Sequence, residues 1–258
     1  MGSAAPQPVS NSMQLYLIRH AESENNALYA RTGSYEQRNP DPRLSETGHA
    51  QAQLLARFLD QANPEAKTDA HDTFDQRGFK ITHIYCSLLR RSIETALAIS
   101  EVLDIPAVAY PDLHEWGGMF ELVGEEERKG LAGPNRAFFS ENYPDLVLPD
   151  SLDDEGWWSR PHEEKHETFP RAERVLRELL SLHKDFEDHV VLVTHAGFFH
   201  SLLTTLFEIP LDANNEYWGT KVLFAANNAA ITRISINQRG VVMMYLNRVD
   251  FLPRGLIT

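Results

Sequence analysis

The run Val190-Val191-Leu192-Val193 is the most hydrophobic in the chain, and it is too short to be a buried helix. It lies between two helical patterns, the amphipathic stretch Arg171 to Leu182 and the apolar stretch Phe199 to Phe207. A short apolar run between helices reads as a strand covered on both faces, and such strands belong to parallel sheets. Met13 to Ile18 and Ile81 to Tyr85 repeat the pattern, and Ala107 to Tyr110 adds a short strand. Ser45 is placed to cap a helix whose face carries Ala52, Leu55, Ala56 and Leu59, and a helix starting at Ser87 carries Ile93, Ala96, Leu97 and Ser100. Ala229 to Ile236 and Val241 to Leu246 read as a hairpin across Asn237-Gln238-Arg239-Gly240. The order predicts an α/β fold: a three-layer α/β/α sandwich with a mostly parallel central sheet.

Two segments fall outside that pattern. Residues 1–12 are small and polar and read as a disordered leader, which leaves 13–258 as one domain. Residues 117–165 are rich in Gly, Pro, Trp and acids. They read as an irregular, cap-like insertion beside the core, because unstructured stretches of that length in compact domains are commonly lids. The polar stretch up to Pro42 shows no clear periodicity, and 61–78 reads as a loop.

Charge narrows the function. The chain of 258 residues carries a formal charge of −13. Such a surface argues against nucleic acid and anionic membranes as partners, and makes any anion site a local basic island. No stretch has the ~20 apolar residues of a membrane span. The lone cysteine, Cys86, ends a buried strand and reads as a small core hydrophobe. These features suit a cytoplasmic protein.

Two of the predicted strands end in histidine, in Leu17-Ile18-Arg19-His20 and Val193-Thr194-His195. Sites in open α/β sheets form at the carboxyl ends of strands, so one sheet can bring both imidazoles together. A lone strand-end histidine is more often structural. Two in matching positions, one beside an arginine that can bind phosphate oxygens bidentately, point to an anion pocket. Arg90-Arg91 follows another strand end, where a helix N-terminus adds positive charge. A phosphoryl transfer needs cations for the phosphoryl oxygens, an in-line nucleophile and an acid for the leaving oxygen. Neutral imidazole can be the nucleophile. Glu115 is the candidate acid, although spacing alone would not select it among the many carboxylates.

Arg19-His20-Ala21-Glu22-Ser23-Glu24-Asn25-Asn26 resembles the signature of the histidine phosphatase superfamily, the phosphoglycerate-mutase-like group. Asp41 to Gly48, Ser87 to Ala96, Leu113-His114-Glu115 and Thr194-His195-Ala196-Gly197 are similar to its later segments and follow in the same order. The resemblance implies that His20 accepts the phosphoryl group and that Arg19, Arg91 and His195 hold its oxygens. It selects Arg91 over Arg90 and makes Glu115 the acid and then the base. Asn26 stands where the family places a phosphate-contacting Asn, Thr32-Gly33 where its mutases contact substrate, and the Ala196 N–H is a further donor. No metal or cofactor is implied. Ala21, Leu88, Ser92 and Glu94 depart from the family's usual Gly, Pro, Ala and Gln.

The expected activity is a phosphatase acting on a small-molecule phosphate ester, by a monomer or a homodimer. The alternative within the family is a phosphoglycerate-type mutase. Mutases carry basic residues after the acid Glu for a substrate carboxylate. Here Trp116-Gly117-Gly118 follows Glu115, and Arg128, Lys129, Arg136 and Arg160 are scattered, so no basic clamp is expected. Trp157 and Trp158 could stack on a ligand or pack the cap. His162-Glu163-Glu164-Lys165-His166 matches the H-E-x-x-H zinc pattern, but it lacks an apolar helix face, so a zinc hydrolase is a minor alternative. A non-catalytic interaction protein is another, disfavoured by the presence of every charged catalytic residue.

Overall fold

The computed structural model describes residues 12–69, 72–123, 127–183, 188–212, 214–215 and 218–258; all but one residue of the expected leader lies outside them. In chain order the elements are β1 (Met13–Arg19), α1 (Glu24–Thr32), α2 (Glu46–Leu59), β2 (His83–Cys86), α3 (Arg90–Leu103) and β3 (Ala107–Ala109). Then come β4 (Phe120–Val123), β5 (Glu127–Gly130), α4 (Arg136–Asn142), β6 (Leu146–Val147), α5 (Thr168–Leu182), β7 (His189–Thr194), α6 (Ala196–Leu206), β8 (Ile231–Asn237) and β9 (Gly240–Arg248). The main sheet runs β6-β3-β2-β7-β1-β8-β9. Its first five strands are parallel, and the β8–β9 hairpin pairs antiparallel to β1.

Both faces of the sheet are covered, as continuous apolar strands require. On β1, Tyr16 and Ile18 face the core that contains Leu55 of α2 and Ile93 of α3. Leu15 and Leu17 face the opposite core, with Val175 and Leu179 of α5 and Phe199 of α6. Val190 through Val193 are fully buried. Burying each such side chain stabilises the fold by about 1.5–3 kcal/mol relative to leaving it exposed.

Several boundaries differ from the sequence expectation, each for a local reason. The polar stretch after His20 contains α1, which buries no residue and is held by a capping box between Ser23 and Asn26. Its missing apolar stripe is why periodicity does not reveal it. Helix α2 begins at Glu46, with the Ser45 hydroxyl accepting the Gly48 N–H. Ser87 does not start α3; three residues of turn separate β2 from Arg90. Helix α5 begins at Thr168 and carries Pro170 in its first turn, where a missing N–H costs no helical bond. Stretch 117–165 is not irregular throughout. It holds the β4–β5 ribbon and α4, and its β6 joins the main sheet beside β3.

Candidate active site

Strand register assembles the floor of the site. Arg19 of β1 pairs with Thr194 of β7, so His20 and His195 each stand one residue beyond the same rung. Their rings lie 5.0 Å apart between centroids. Cys86 of β2 pairs with Val193, which brings Ser87 up beside His195 on the other side. Arg91, in the first turn of α3, reaches across so that its Nε donates to His20 Nε2 at 3.2 Å. The sheet therefore gathers four of the five expected catalytic residues: His20, His195, Arg19 and Arg91.

His20 is held in one tautomer by two contacts. Its Nδ1 lies 2.7 Å from the Ala21 carbonyl and must donate there. Its Nε2 accepts from Arg91, so that nitrogen carries the lone pair. Burial, then Arg91 and Arg19, push its pKa well below the usual imidazole value, and the ring stays neutral at physiological pH. Burial, then Arg91 and His20, do the same to His195. His195 is fully buried, lies behind the open cavity, and has a ring nitrogen, Nδ1, with no partner among the described residues. Arg19 donates to the Ala226 carbonyl at 2.7 Å, and its Nε has no partner among the described residues. A buried polar atom without a partner costs free energy; Arg19 lines the cavity, and the His195 ring lies against that of His20.

Glu115 arrives from the other side of the sheet. The segment after β3 makes a 3-10 turn over Pro111–Leu113, and the Thr194 hydroxyl fixes it by donating to the Leu113 carbonyl at 2.8 Å. The Glu115 carboxylate then accepts N–H groups from Trp116 (2.9 Å), Gly197 (3.1 Å) and Phe198 (3.1 Å). The last two are orphan donors at the N-terminus of α6, a natural seat for an anion. Gly197 permits the approach, since a Cβ there would come within 2.5 Å of the carboxylate. Ala196 occupies the first position of that helix and lines the cavity.

The family departures fit locally. The Ala21 methyl sits in the core, and the Ser92 hydroxyl donates to the Val193 carbonyl at 2.8 Å. Glu94 pairs with Arg43 and accepts from the Leu44 N–H. Leu88 is fully buried.

A cavity of about 610 Å³ opens over this floor. Arg19, His20, Asn26, Arg91, Glu115 and Ala196 line it. The Asn26 side-chain oxygen Oδ1 accepts from the Ser23 hydroxyl and from the Asn228 amide, which also donates to the His20 carbonyl at 2.9 Å. Asn228 was not expected from sequence; it stands just before β8 with no motif around it. Thr32 and Gly33 correct the expectation. They end α1, with Gly33 in the left-handed conformation (φ 68°) and the Thr32 hydroxyl donating to the Leu28 carbonyl, and neither lines the cavity.

The expected lack of a basic clamp is also corrected. Arg128 of β5 lines the cavity, and Arg38, from the loop after α1, lines it too. Among the described residues neither forms an ion pair: Arg38 lies over the Phe120 ring at 4.1 Å and Arg128 over Trp116 at 5.8 Å. Burial, then Arg91, lowers the Arg38 pKa to about 10, so it stays charged at neutral pH. Lys129 pairs instead with Glu121, Arg136 holds the Leu152 and Pro149 carbonyls, and Arg160 covers Trp158. Four arginines thus face one carboxylate, Glu115, in the cavity lining. Tyr35, Trp116, His200 and Trp218 complete walls that no sequence motif marked.

Trp157 and Trp158 pack the cap against His114 and lie outside the cavity lining. The H-E-x-x-H run is not a helix: His162 is in a loop, and a 3-10 turn covers only Lys165–Glu167. Glu163 is committed to Arg171, and His166 is exposed. Among the described residues the group able to hold a metal is His83, His183 and Asp188, at the opposite end of the strands. Cys86 is buried, and burial raises its thiol pKa, so the residue serves packing.

A model of the histidine phosphatase superfamily (branch 1) matches residues 15–71 and 66–249. Phosphoserine phosphatase 1 of Hydrogenobacter thermophilus is 27% identical over 247 residues, covering 91% of this chain and 92% of its own. Phosphoglycerate mutase-like protein 4 of Arabidopsis thaliana is 28% identical over 73% of this chain and 69% of its own. Among solved structures, a native mycobacterial glucosyl-3-phosphoglycerate phosphatase superposes with a TM-score of 0.57 at 18% identity, covering 93% of this chain and 100% of the other. That likeness concerns the fold.

Proposed function

This chain belongs to the histidine phosphatase superfamily, and on that premise we propose that it hydrolyses small phosphate monoesters through a phosphohistidine on His20. One observation carries the reading: a neutral imidazole presents its Nε2 lone pair to a cavity lined by four arginines, in a protein of net charge −13. The incoming phosphate takes over the Arg91 N–H that His20 Nε2 accepts. Nε2 then attacks phosphorus as the P–O bond to the alcohol breaks. The proton carried in by the monoester monoanion passes to the Glu115 carboxylate, which hands it to the leaving oxygen. In the second step water attacks the phosphohistidine, Glu115 takes a proton from it, and the P–N bond breaks to release inorganic phosphate. Arg19, Arg91, the His195 ring and the Ala196 N–H stabilise the phosphoryl oxygens, where charge accumulates. Every step uses the chain's own residues, so turnover in EDTA is expected to match turnover without it.

Arg38 and Arg128 suggest what the alcohol carries. Two guanidinium groups beyond the phosphate site that form no ion pair among the described residues suit a second anion, such as a carboxylate. Phosphoserine meets that description, and relatives carry its name. The test is phosphate release from phosphoserine and from phosphoethanolamine, which lacks the carboxylate. We expect kcat/KM to favour phosphoserine by about 10-fold or more, with the ratio collapsing in Arg38→Met. Equal rates in the wild type would remove the second-anion reading. The same cation pair is what a mutase would use, but exposed Leu122 and Leu223 in the cavity lining leave it open to water, which favours hydrolysis. Given 3-phosphoglycerate and its bisphosphate, the enzyme is expected to release inorganic phosphate and not 2-phosphoglycerate. We further assign it to the cytoplasm, as a monomer or homodimer; among the described residues no helix is long and apolar enough to cross a membrane.

A further inference from the structure

Ser87 stands outside the cavity lining, and the reaction described above gives it no role. It is fully buried, and its hydroxyl oxygen lies 2.7 Å from His195 Nε2. The Leu89 N–H donates to the same oxygen at 3.3 Å. Ser87 is itself held rigidly: its N–H donates to the Ser92 hydroxyl at 3.2 Å, and that hydroxyl donates to the Val193 carbonyl at 2.8 Å. Strand pairing between Cys86 and Val193 sets this whole arrangement.

A serine hydroxyl has one hydrogen to give. With the Leu89 N–H arriving at Oγ, the acceptor within reach of that hydrogen is His195 Nε2. The proton of a neutral His195 then sits on Nδ1, the nitrogen without a partner. The opposite arrangement has two faults. It strands the serine hydrogen in a dry interior, and it aims a bare lone pair at a site meant for an anion. Each fault leaves a buried polar group unsatisfied or opposed. Burial and Arg91 keep His195 neutral, so tautomer choice is a real variable for this ring.

We propose that Ser87 is a positioning residue that fixes His195 as the Nδ1–H tautomer, reserving that N–H for the phosphoryl group carried by His20. The two catalytic histidines are therefore held in complementary roles by their second nitrogens. The Ala21 carbonyl takes the Nδ1 proton of His20 and frees Nε2 to attack. The Ser87 hydroxyl fills Nε2 of His195 and frees Nδ1–H to donate. Ser87 itself exchanges no proton in the reaction; its O–H bond stays intact while the phosphoryl group passes to His20 and on to water.

The tautomer claim stands on geometry, and its catalytic consequence rests on the phosphohistidine reading. Two measurements separate them. Two-bond proton–nitrogen NMR of histidine-labelled protein reads the tautomer directly, with the His195 signals assigned by their loss in His195→Gln. The wild type is expected to show His195 protonated on Nδ1, and Ser87→Ala to show a mixture or the Nε2–H form. A wild-type spectrum with the proton on Nε2 overturns the proposal, whether or not any variant folds. For turnover of a generic aryl phosphate, Ser87→Ala is expected to lose about 10- to 100-fold in kcat with little change in KM. Ser87→Thr, which keeps the hydroxyl, should recover to within about 3-fold. Ser87→Ala turnover within 2-fold of wild type would show that the tautomer has no catalytic consequence. If no phosphate ester is hydrolysed at all, the NMR result still decides the tautomer.

Discussion

The floor of the cavity and its mouth are built by different physics. The floor is a consequence of sheet register: β1, β7 and β2 place His20, His195 and Ser87 side by side, and packing on both faces fixes their heights. The mouth comes from segments distant in sequence, namely the loop after α1, the β4–β5 ribbon and the stretch before β8. Floor groups hold each other through hydrogen bonds of 2.7–3.2 Å, whereas at the mouth Arg128 rests over Trp116 and Arg38 over Phe120, with one long hydrogen bond of 3.4 Å to the Phe120 carbonyl. The difference teaches a division of labour. The floor should determine whether phosphate is transferred, and the mouth which alcohol leaves.

Changes to the floor should be large and indifferent to substrate. Arg91→Ala is expected to lower kcat/KM by about 10³-fold or more for phosphoserine and p-nitrophenyl phosphate alike, through lost charge stabilisation. A loss confined to one substrate would break the division. Glu115→Gln sharpens it. Loss of the acid should cost about 10²-fold with phosphoserine, whose alkoxide needs a proton. It should cost far less with p-nitrophenyl phosphate, whose phenolate leaves unaided, when single-turnover rates of the first step are compared. At the mouth, Arg128→Met is expected to raise KM for phosphoserine about 10-fold with kcat nearly unchanged, and to leave the aryl phosphate within about 3-fold. Steady-state kinetics on both substrates checks each of these.

The smallest effect lies at the seam between the two regions. Asp41, in the loop that follows Arg38, accepts the Arg90 N–H at 3.0 Å, and its buried second oxygen has no partner among the described residues. Burial raises its pKa from 3.8 to about 6. The folded state thus holds a proton that the unfolded chain releases. Its contribution to stability is complete below pH 3.8 and is lost as pH rises through about 6. Asp41→Asn removes that loss and is expected to stabilise the protein by about 1–2 kcal/mol at pH 7.5, with the gain vanishing toward pH 3.5. Denaturant melts at the two pH values measure it; a gain that is equal at both would contradict the assignment.

The same contrast explains what could be read from the sequence. Val190–Val193 and Met13–Ile18 betrayed themselves as strands because nothing but a doubly covered sheet suits such runs. Their terminal histidines followed at known heights. Glu115 needed family resemblance, since its seat at the α6 N-terminus depends on a distant segment folding back onto it. Arg38 and Arg128 carried no signal, because a loop and a strand far apart in sequence meet only in three dimensions. Thr32-Gly33 misled for a converse reason: a small polar residue followed by Gly is what a helix C-terminus needs, and α1 used it so. Ser87 lay inside a recognised segment, yet its partner His195 is 108 residues away in sequence.

The central claim is that His20 carries the phosphoryl group. Rapid quenching of the wild-type enzyme with radiolabelled phosphoserine or an activated aryl phosphate tests it most directly. The expected result is a protein-bound phosphate that is stable in base, lost in acid, located on the peptide containing His20, and absent in His20→Ala. Label that survives acid, maps to another residue, or persists in His20→Ala would contradict it.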